Sequence, residues 1–168
     1  DTIYTTADGV YLLTGDLLKI TDNGIANVSE ASRAGQRQEQ MAAFAGKGVI
    51  TYPAKGEQKA VIDVFTDIDC PYCRKMHDEV PQLNDYGITV NYYGFPRSGP
   101  GTPSFTKYVS VWCAEDQQEA MDAAKGGKSV PQKSCDNPVE EQYRLGGQVG
   151  VTGTPAIILE DGNIVRCY

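Results

Sequence analysis

The chain has 168 residues, of which 40% are hydrophobic and 22% are charged. This composition is typical of a compact globular protein with one full domain and room for a small appendage. The net charge of −7 offers no basic field to nucleic-acid phosphates or anionic lipids. No apolar run approaches the roughly 20 residues that a membrane span needs. We therefore expect protein or small-molecule partners, with no nucleic acid and no membrane.

Cysteine number is the most informative feature of the composition. Five cysteines are too few for a miniprotein built on disulfides. The count is odd, so at least one thiol has no partner within the chain, and the pairing stays open. The cysteines are Cys70, Cys73, Cys113, Cys135 and Cys167.

Residues 1–28 alternate polar and apolar side chains around turn signals such as Asp22-Asn23-Gly24, which predicts short antiparallel strands. A small isolated sheet is only marginally stable in water. We therefore expect this segment to be part of a dimerisation module.

Residues 29–55 are predicted to form a linker helix and a connection. Asn27 can cap a helix that contains Glu30 in its first turn, and the helix should run from Ser29 to Gly46. Its apolar positions are few and mostly small, so much of the helix should face water.

Residues 56–168 have the pattern of an α/β domain. The apolar run Ala60–Phe65 predicts a central strand buried on both faces. A Cys-x-x-Cys motif, a helix to about Asn84 and a second strand at Ile88–Tyr93 follow, which together form a βαβ unit.

The rest of this domain is predicted to hold helices and then two strands. The segment Ser104–Ala124 has Phe105, Val109 and Trp112 at helical spacing, which predicts one helix there, and a second helix is predicted from Pro138 to Leu145. A strand at Ala156–Leu159, a tight turn and a last strand at Ile164-Val165 complete the pattern.

The Cys-x-x-Cys motif predicts redox chemistry at the start of a helix. The first sulfur, on Cys70, lies where unpaired N–H groups and the helix dipole favour a thiolate, which makes it the expected nucleophile. Pro71 suits the first helical turn because its missing N–H is not needed there. Cys73 lies one turn deeper as the expected resolving thiol. We expect no cofactor beyond this redox-active pair.

A metal site or an inert pair is the alternative reading of the same motif. His77 is the only histidine and follows Cys73 by four residues, which gives at most three clustered ligands. Structural zinc requires four ligands, so we expect no metal and a surface position for His77.

Thr154-Pro155 lies between a glycine and a strand, where an X-Pro bond can be cis. Alone this signal is weak. It gains weight beside a βαβ unit headed by Cys-x-x-Cys, since the thioredoxin fold has a cis-proline loop next to its nucleophilic sulfur.

Seven short motifs together resemble the periplasmic disulfide isomerases of the DsbC/DsbG type, in the same order along the chain. They are Val64–Cys73, Gly87–Val90, Phe95–Arg97, Trp112–Ala114, Gly127–Val130, Ser134–Asp136 and Gly150–Ala156. The resemblance implies an α+β/α/β architecture: a thioredoxin fold with a helical insertion at about residues 104–147, joined by a linker helix to a small N-terminal β module. It also implies a homodimer formed through that module.

The resemblance further implies roles for individual residues. Cys113 and Cys135 would form a structural disulfide within the helical insertion. Asp67 and Arg97 match positions near the active site, and we hypothesise that they pair close to Cys70; an ordinary surface ion pair is the alternative. The expected supporting residues of the active site are Pro71, Tyr72, Asp67, Arg97, Thr154 and Pro155.

Several features depart from the family. Pro71-Tyr72 is the dipeptide of the DsbG type and of glutaredoxins, so the reduction potential cannot be assumed to be that of DsbC. Val64 occupies the place of thioredoxin's buried acid, and the neighbouring Asp63 must point to the other face of its strand. Cys167 can be an exposed free thiol, an intermolecular bridge, a mutation or an inert, partly buried cysteine. The chain is expected to begin inside the N-terminal module and to end before the closing helix.

The implied function is the reshuffling of non-native disulfides in misfolded secreted proteins through a mixed disulfide on Cys70, with a membrane reductant of the DsbD type and a periplasmic location. The alternatives are a DsbG-like reductase that protects oxidised cysteines, a DsbA-like oxidant and a non-catalytic chaperone. Tyr92, Tyr93 and Tyr108 can line a client-binding cleft or belong to the core.

Overall fold

The computed structural model describes residues 2–166, so Cys167 lies outside the described residues. The chain folds into two small hairpins, one long helix and a mixed five-stranded sheet with helices on both faces. The strands are β1 (Ile3–Thr5), β2 (Leu12–Thr14), β3 (Leu18–Thr21), β4 (Gly24–Asn27), β5 (Ile50–Tyr52), β6 (Ala60–Thr66), β7 (Ile88–Gly94), β8 (Ala156–Ile158) and β9 (Ile164–Val165). The helices are α1 (Val28–Phe44), α2 (Pro71–Asp85), α3 (Pro103–Trp112), α4 (Gln117–Lys125) and α5 (Val139–Gln148).

The N-terminal hairpins leave much apolar surface in solvent. β1 pairs with β2 and β3 pairs with β4, both antiparallel, as the turn signals predict. In the second hairpin Ile20 and Ile25 are cross-strand partners, and they are 86% and 71% exposed. Two strands alone bury too little area to shield such residues.

Helix α1 connects the hairpins to the sheet, and most of its surface faces water as predicted. The Asn27 side chain accepts a hydrogen bond from the Glu30 amide and caps the helix. A buried stripe that includes Ala34 and Arg37 contacts the turn between β8 and β9, where Arg37 Nε donates to the Gly162 carbonyl at 2.7 Å. A Cβ atom on Gly162 would overlap the Ala34 carbonyl oxygen, so this contact requires glycine.

The five-stranded sheet has the order β5-β7-β6-β8-β9. β6 and β7 are parallel and the other pairs are antiparallel, so the predicted βαβ unit forms the centre of the sheet. Successive residues of β6 point to opposite faces. Val64 packs in the core with α2, α3 and α4, whereas Phe65 packs in the core with α1 and α5.

The segment 104–124 differs from the prediction of one helix, because it forms two helices. Residues 113–116 separate α3 from α4. Asp116 caps α4 by accepting a hydrogen bond from the Glu119 amide, and Cys113 is tied by a disulfide to a distant loop. Among residues 2–166, no helix combines the length and the hydropathy that a membrane crossing requires.

Candidate active site

Cys70 is the N-cap residue of α2 and follows a short loop that connects the end of β6 to this helix. Its backbone is extended (φ −88°, ψ 122°), and Pro71 occupies the first turn. The Cys70 side chain is 1% exposed, and its Sγ donates to the Thr154 carbonyl oxygen at 3.4 Å. The sulfur thus lies between the open end of a helix and the loop before β8.

Hydrogen bonding and burial act in opposite directions on Cys70. Burial by itself would raise the pKa of the thiol, whereas the amides of Cys73 and Tyr72 and the side chains of Thr154 and Cys73 favour the thiolate. The net effect lowers the Cys70 pKa below that of an ordinary cysteine. This is the electrostatic setting of a nucleophilic thiol at a helix N-terminus.

Cys73 lies one turn further along α2 and has the opposite balance. It is also 1% exposed, and the Asp67 amide donates to its Sγ at 3.3 Å. Burial raises the Cys73 pKa, and the positive charge of Lys125 opposes that rise only in part. The pKa values of the two cysteines are therefore shifted in opposite directions, downward for Cys70 and upward for Cys73.

The loop before β8 faces both sulfurs. The Thr154–Pro155 peptide bond is cis. The Thr154 hydroxyl is buried and has no hydrogen-bond partner of good geometry among residues 2–166, and it lies close enough to both thiols to favour their ionised forms. Tyr72, which lies between the two cysteines in the sequence, is 58% exposed.

Asp67 and Arg97 lie together beside the loop that leads to Cys70. Arg97 Nε and its backbone amide donate to Asp67 Oδ2 at 2.8 and 3.1 Å, and the Asp69 amide donates to Asp67 Oδ1 at 2.8 Å. Asp67 is 3% exposed. The pair is therefore not an ordinary surface ion pair, because one partner is buried and fixes the backbone of two loops.

Val64 and Asp63 lie as the strand alternation predicts. Val64 is fully buried under α2, and Asp63 accepts a hydrogen bond from Asn91 Nδ2 at 3.0 Å on the opposite face. Burial raises the Asp63 pKa, but this carboxyl does not face the cysteines.

The three tyrosines belong to the core, so their alternative assignment to a client-binding cleft is wrong. Tyr92 and Tyr108 are fully buried and Tyr93 is 2% exposed. Tyr108 has a local role as well: its hydroxyl accepts from the Ile68 amide at 2.8 Å and donates to the Thr66 carbonyl. It thereby braces the loop before Cys70.

His77 also differs from the expected surface position. Its side chain is only 12% exposed, with Nδ1 3.0 Å from the Tyr92 hydroxyl and Nε2 3.0 Å from Asp122 Oδ1. Burial, reinforced by the charge of Lys125, lowers the His77 pKa. Helix α4 covers this face of α2, a tertiary contact that the local sequence does not reveal.

The helical insertion contains a disulfide between Cys113 and Cys135, with a Cα–Cα distance of 5.7 Å. It joins the end of α3 to the loop before α5.

Cys70 and Cys73 are free thiols in this structure. No three His, Cys, Asp or Glu side chains within residues 2–166 cluster as metal ligands.

Sequence reasoning missed two groups near Cys73, namely Lys125 and Thr66. Lys125 is 4% exposed, and its Nζ donates to the Thr66 hydroxyl and to the Asp67 carbonyl. The available signal was helical spacing: Lys125 follows Met121 by four residues and so falls on the buried face of α4.

A parallel β6-β7 pair, a Cys-x-x-Cys motif at the N-terminus of the intervening helix and a cis-proline loop against its first sulfur define a class of protein. The chain is a thiol:disulfide oxidoreductase of the thioredoxin fold. In agreement, residues 49–168 match the family model described as a thioredoxin-like domain.

Relatives narrow the class to one family. The chain is 38% identical over 166 residues to the thiol:disulfide interchange protein DsbC of Escherichia coli K12, covering 99% of the chain and 68% of that protein. Identity to DsbC of Salmonella typhimurium is 40% over the same length and coverage. The chain belongs to the DsbC family of thiol:disulfide interchange proteins.

Solved structures agree with this assignment. A disulfide interchange protein from Neisseria gonorrhoeae aligns with a TM-score of 0.62 at 31% identity, covering 72% of this chain and 86% of that one. Proteus mirabilis ScsC aligns with a TM-score of 0.61 at 17% identity, covering 82% and 74%, and supports the fold alone.

Arg97→Gln is expected to make Cys70 less reactive toward iodoacetamide. The hydrogen bond to Asp67 is the main cause of the raised Arg97 pKa, and the Cys70 thiolate adds to it, so the guanidinium in turn favours that thiolate. Arg97 is half-exposed, so alkylation below the Cys70 pKa should slow by about two- to fivefold, the equivalent of up to about 1 kcal/mol.

Arg144→Gln is the matched control, because Arg144 pairs with Glu140 on an exposed helix face. The rate is measured across pH by mass spectrometry of the Cys70 peptide. It should fall as pH falls through the lowered Cys70 pKa. Equal rates in both variants would exclude a supporting role for Arg97.

Proposed function

We propose that Cys70 is the nucleophile and Cys73 the resolving thiol in disulfide exchange with protein substrates. The observation that carries this proposal is the place of Cys70 Sγ, at the N-terminus of α2 and 3.4 Å from the Thr154 carbonyl. The lowered pKa of this thiol favours the thiolate, which is the form that attacks a substrate disulfide.

The reaction begins when the Cys70 thiolate attacks one sulfur of the substrate disulfide. A mixed disulfide forms and the other substrate sulfur leaves as a thiolate. In isomerisation a substrate thiolate then attacks the mixed disulfide, which re-forms a substrate disulfide and releases Cys70 unchanged. In reduction Cys73 attacks instead, which oxidises the Cys70–Cys73 pair and reduces the substrate.

The backbone of the cis-proline loop supports substrate binding. β8 begins immediately after Pro155, and Thr154 presents its carbonyl to Cys70. An extended substrate segment can pair with such a loop by backbone hydrogen bonds. We propose that Thr154, Pro155 and the exposed Tyr72 hold the substrate chain beside Cys70.

The substrates that we propose are misfolded secreted proteins with non-native disulfides, in the periplasm. The name of the DsbC relatives supports disulfide interchange. The Cys113–Cys135 bridge supports an oxidising compartment, since disulfides are rare in a reducing cytosol. Because isomerisation consumes no electrons but requires reduced Cys70, we also propose an external membrane reductant of the DsbD type that returns oxidised pairs to dithiols.

We propose that residues 1–28 form a dimerisation module, with residues 29–55 as linker helix and connection and residues 56–168 as catalytic domain. The end of the connection contributes β5 to the sheet of the catalytic domain. The exposed isoleucines of the second hairpin support this division, because apolar side chains clustered on one small module indicate a protein partner. A second copy of the module is the partner of matching chemistry.

The first test is recovery of native pairs from a scrambled multi-disulfide protein in glutathione buffer, with product disulfides followed by mass spectrometry. Cys70→Ala should reduce the rate to that of buffer alone, because no mixed disulfide can form. Cys73→Ala should retain reshuffling but accumulate the mixed disulfide, since the resolving exit is lost.

Other outcomes of this test identify the alternatives. Reduction of disulfides or sulfenic acids without reshuffling would replace the isomerase by a DsbG-like reductase. Suppression of client aggregation that survives Cys70→Ala, without any exchange, would indicate a chaperone. Net oxidation of reduced substrates would indicate a DsbA-like oxidant.

The second test concerns the dimer. Ile20→Lys places a charge on the most exposed isoleucine of the hairpin and should raise the dimer dissociation constant by at least about tenfold, or 1.4 kcal/mol. Gln40→Lys, on the exposed face of α1, is the control. Mass is measured by light scattering on a sizing column. A monomeric unmodified chain, or a dimer indifferent to Ile20→Lys, would refute the proposal.

A further inference from the structure

A lysine lies buried next to the resolving cysteine. Lys125 is the last residue of α4, and only 4% of it is exposed. Lysine is almost never fully buried unless its ammonium group finds partners, because desolvation of a charge is costly. The partners of Lys125 are uncharged groups: the Thr66 hydroxyl, the Asp67 carbonyl at 3.2 Å and the face of the Tyr92 ring at 5.4 Å.

These partners connect Lys125 to the sulfur of Cys73. Thr66 is the last residue of β6, and its hydroxyl accepts from Lys125 Nζ and also interacts with the Cys73 thiol. The next residue, Asp67, donates its amide to the same sulfur at 3.3 Å. One hydroxyl group therefore separates the amine from the thiol.

Burial shifts the pKa values of Lys125 and Cys73, and the charge of each group opposes the shift of the other. Burial lowers the Lys125 pKa to about 8, and the negative charge of ionised Cys73 opposes that change. Burial raises the Cys73 pKa, and the Lys125 charge opposes it. Each charge alone is disfavoured, whereas the neutral pair and the ion pair are both compatible with the site.

Other ionisable groups face this pair from the surrounding elements. Cys70 and Asp67 favour the charged lysine, and Arg74 disfavours it. Tyr92, Tyr108 and His77 are all held neutral by burial, so they add no fixed charge near neutral pH.

We propose that Lys125 is a positioning residue for the resolving step. Lys125 takes up, through the Thr66 hydroxyl, the proton that Cys73 loses when it attacks the mixed disulfide on Cys70. This inference rests on the roles proposed above for Cys70 and Cys73.

The step starts from the neutral form of Lys125, which its lowered pKa of about 8 makes accessible near neutral pH. The Cys73 thiol passes its proton to the Thr66 oxygen. The Thr66 hydroxyl, turned toward Lys125 Nζ, passes its own proton to that amine, which becomes an ammonium. The Cys73 sulfur forms a bond to the Cys70 sulfur, and the bond from Cys70 to the substrate sulfur breaks. The substrate sulfur leaves as a thiolate with the electron pair. The cysteine pair is oxidised by two electrons and the substrate disulfide is reduced.

The proposed role of Lys125 affects which of the two reactions resolves the mixed disulfide. Lys125 assists only the attack by Cys73, which is the reductive exit. It gives no help to a substrate thiol that attacks from solvent. Loss of Lys125 is therefore expected to lengthen the lifetime of the mixed disulfide and to favour reshuffling over reduction.

Stopped-flow reaction of the reduced protein with Ellman's reagent separates the relevant steps. Attack by Cys70 releases one thionitrobenzoate at a rate that depends on reagent concentration. Attack by Cys73 on the resulting mixed disulfide releases the second at a rate that does not. The first phase tests the proposed nucleophile, and the second phase and its pH profile test Lys125.

Lys125→Met removes the amine and keeps most of the side-chain volume. It should leave the first phase nearly unchanged and slow the second at neutral pH by about tenfold to hundredfold, with its pH inflection moved upward. Thr66→Val should slow the second phase similarly, and the double variant should be no slower than the slower single variant. Lys128→Met, which removes an exposed charge three residues away, is the control and should change neither phase.

An unchanged second phase and pH profile in Lys125→Met would overturn the relay while leaving the proposed nucleophile intact. Absence of the first phase in the unmodified protein would instead overturn the proposed function. Folding of each variant is checked by circular dichroism and by the first phase itself. As an independent measurement, the Cys73 pKa in Cys70→Ser should rise on addition of Lys125→Met, and an unchanged value would contradict the proposal.

Discussion

The placement of Cys70 at the N-terminus of α2 is the constraint on which the site depends. A thiolate is stable there only while the amides of the first turn point at the sulfur and the opposite side is closed by protein. The parallel β6-β7 pair fixes the start of α2, Tyr108 and Asp67 hold the loop between β6 and the helix, and the cis-proline loop closes the other side. Residues from the sheet, from the insertion and from the cis-proline loop thus together fix the position of the Cys70 sulfur.

The same helix gives its two cysteines different chemistry. Cys70 lies at the helix end, where hydrogen bonds to the thiolate outweigh burial, and Cys73 lies one turn deeper, where burial prevails. The helical insertion adds to this difference, because α4 brings Lys125 beneath Cys73 and covers His77. The role proposed for Lys125 assists the attack by Cys73, which is the reductive exit from the mixed disulfide.

Local sequence patterns predict those parts of the structure that local chemistry determines. The Asn27 cap, the βαβ unit and the strands of the last hairpin follow from caps, periodicity and turn residues. Their prediction needs no knowledge of distant contacts. The break between α3 and α4 involves the Asp116 cap and the bridge from Cys113. The apolar residues at helical spacing, Phe105, Val109 and Trp112, all precede the break and do not indicate it.

Groups that act through tertiary contacts were beyond sequence reasoning or were interpreted wrongly. His77 was expected at the surface because nothing in α2 indicates that α4 covers it. Lys125 and Tyr108 reach the active site from the insertion, more than 30 residues after Cys70 in the chain. Their spacing places them on buried helix faces, but only the packing of those helices on β6 brings them to the loop before the cysteines.

The most direct test of this account is the pH dependence of Cys70 alkylation, measured by mass spectrometry in the native reduced protein and in urea. We expect the inflection for Cys70 to lie at lower pH in the native protein than in the unfolded chain, and Cys73 to stay unmodified around neutral pH. An inflection at the same or a higher pH, or equal reactivity of the two cysteines, would contradict the claim that the helix N-terminus and the cis-proline loop make Cys70 the thiolate.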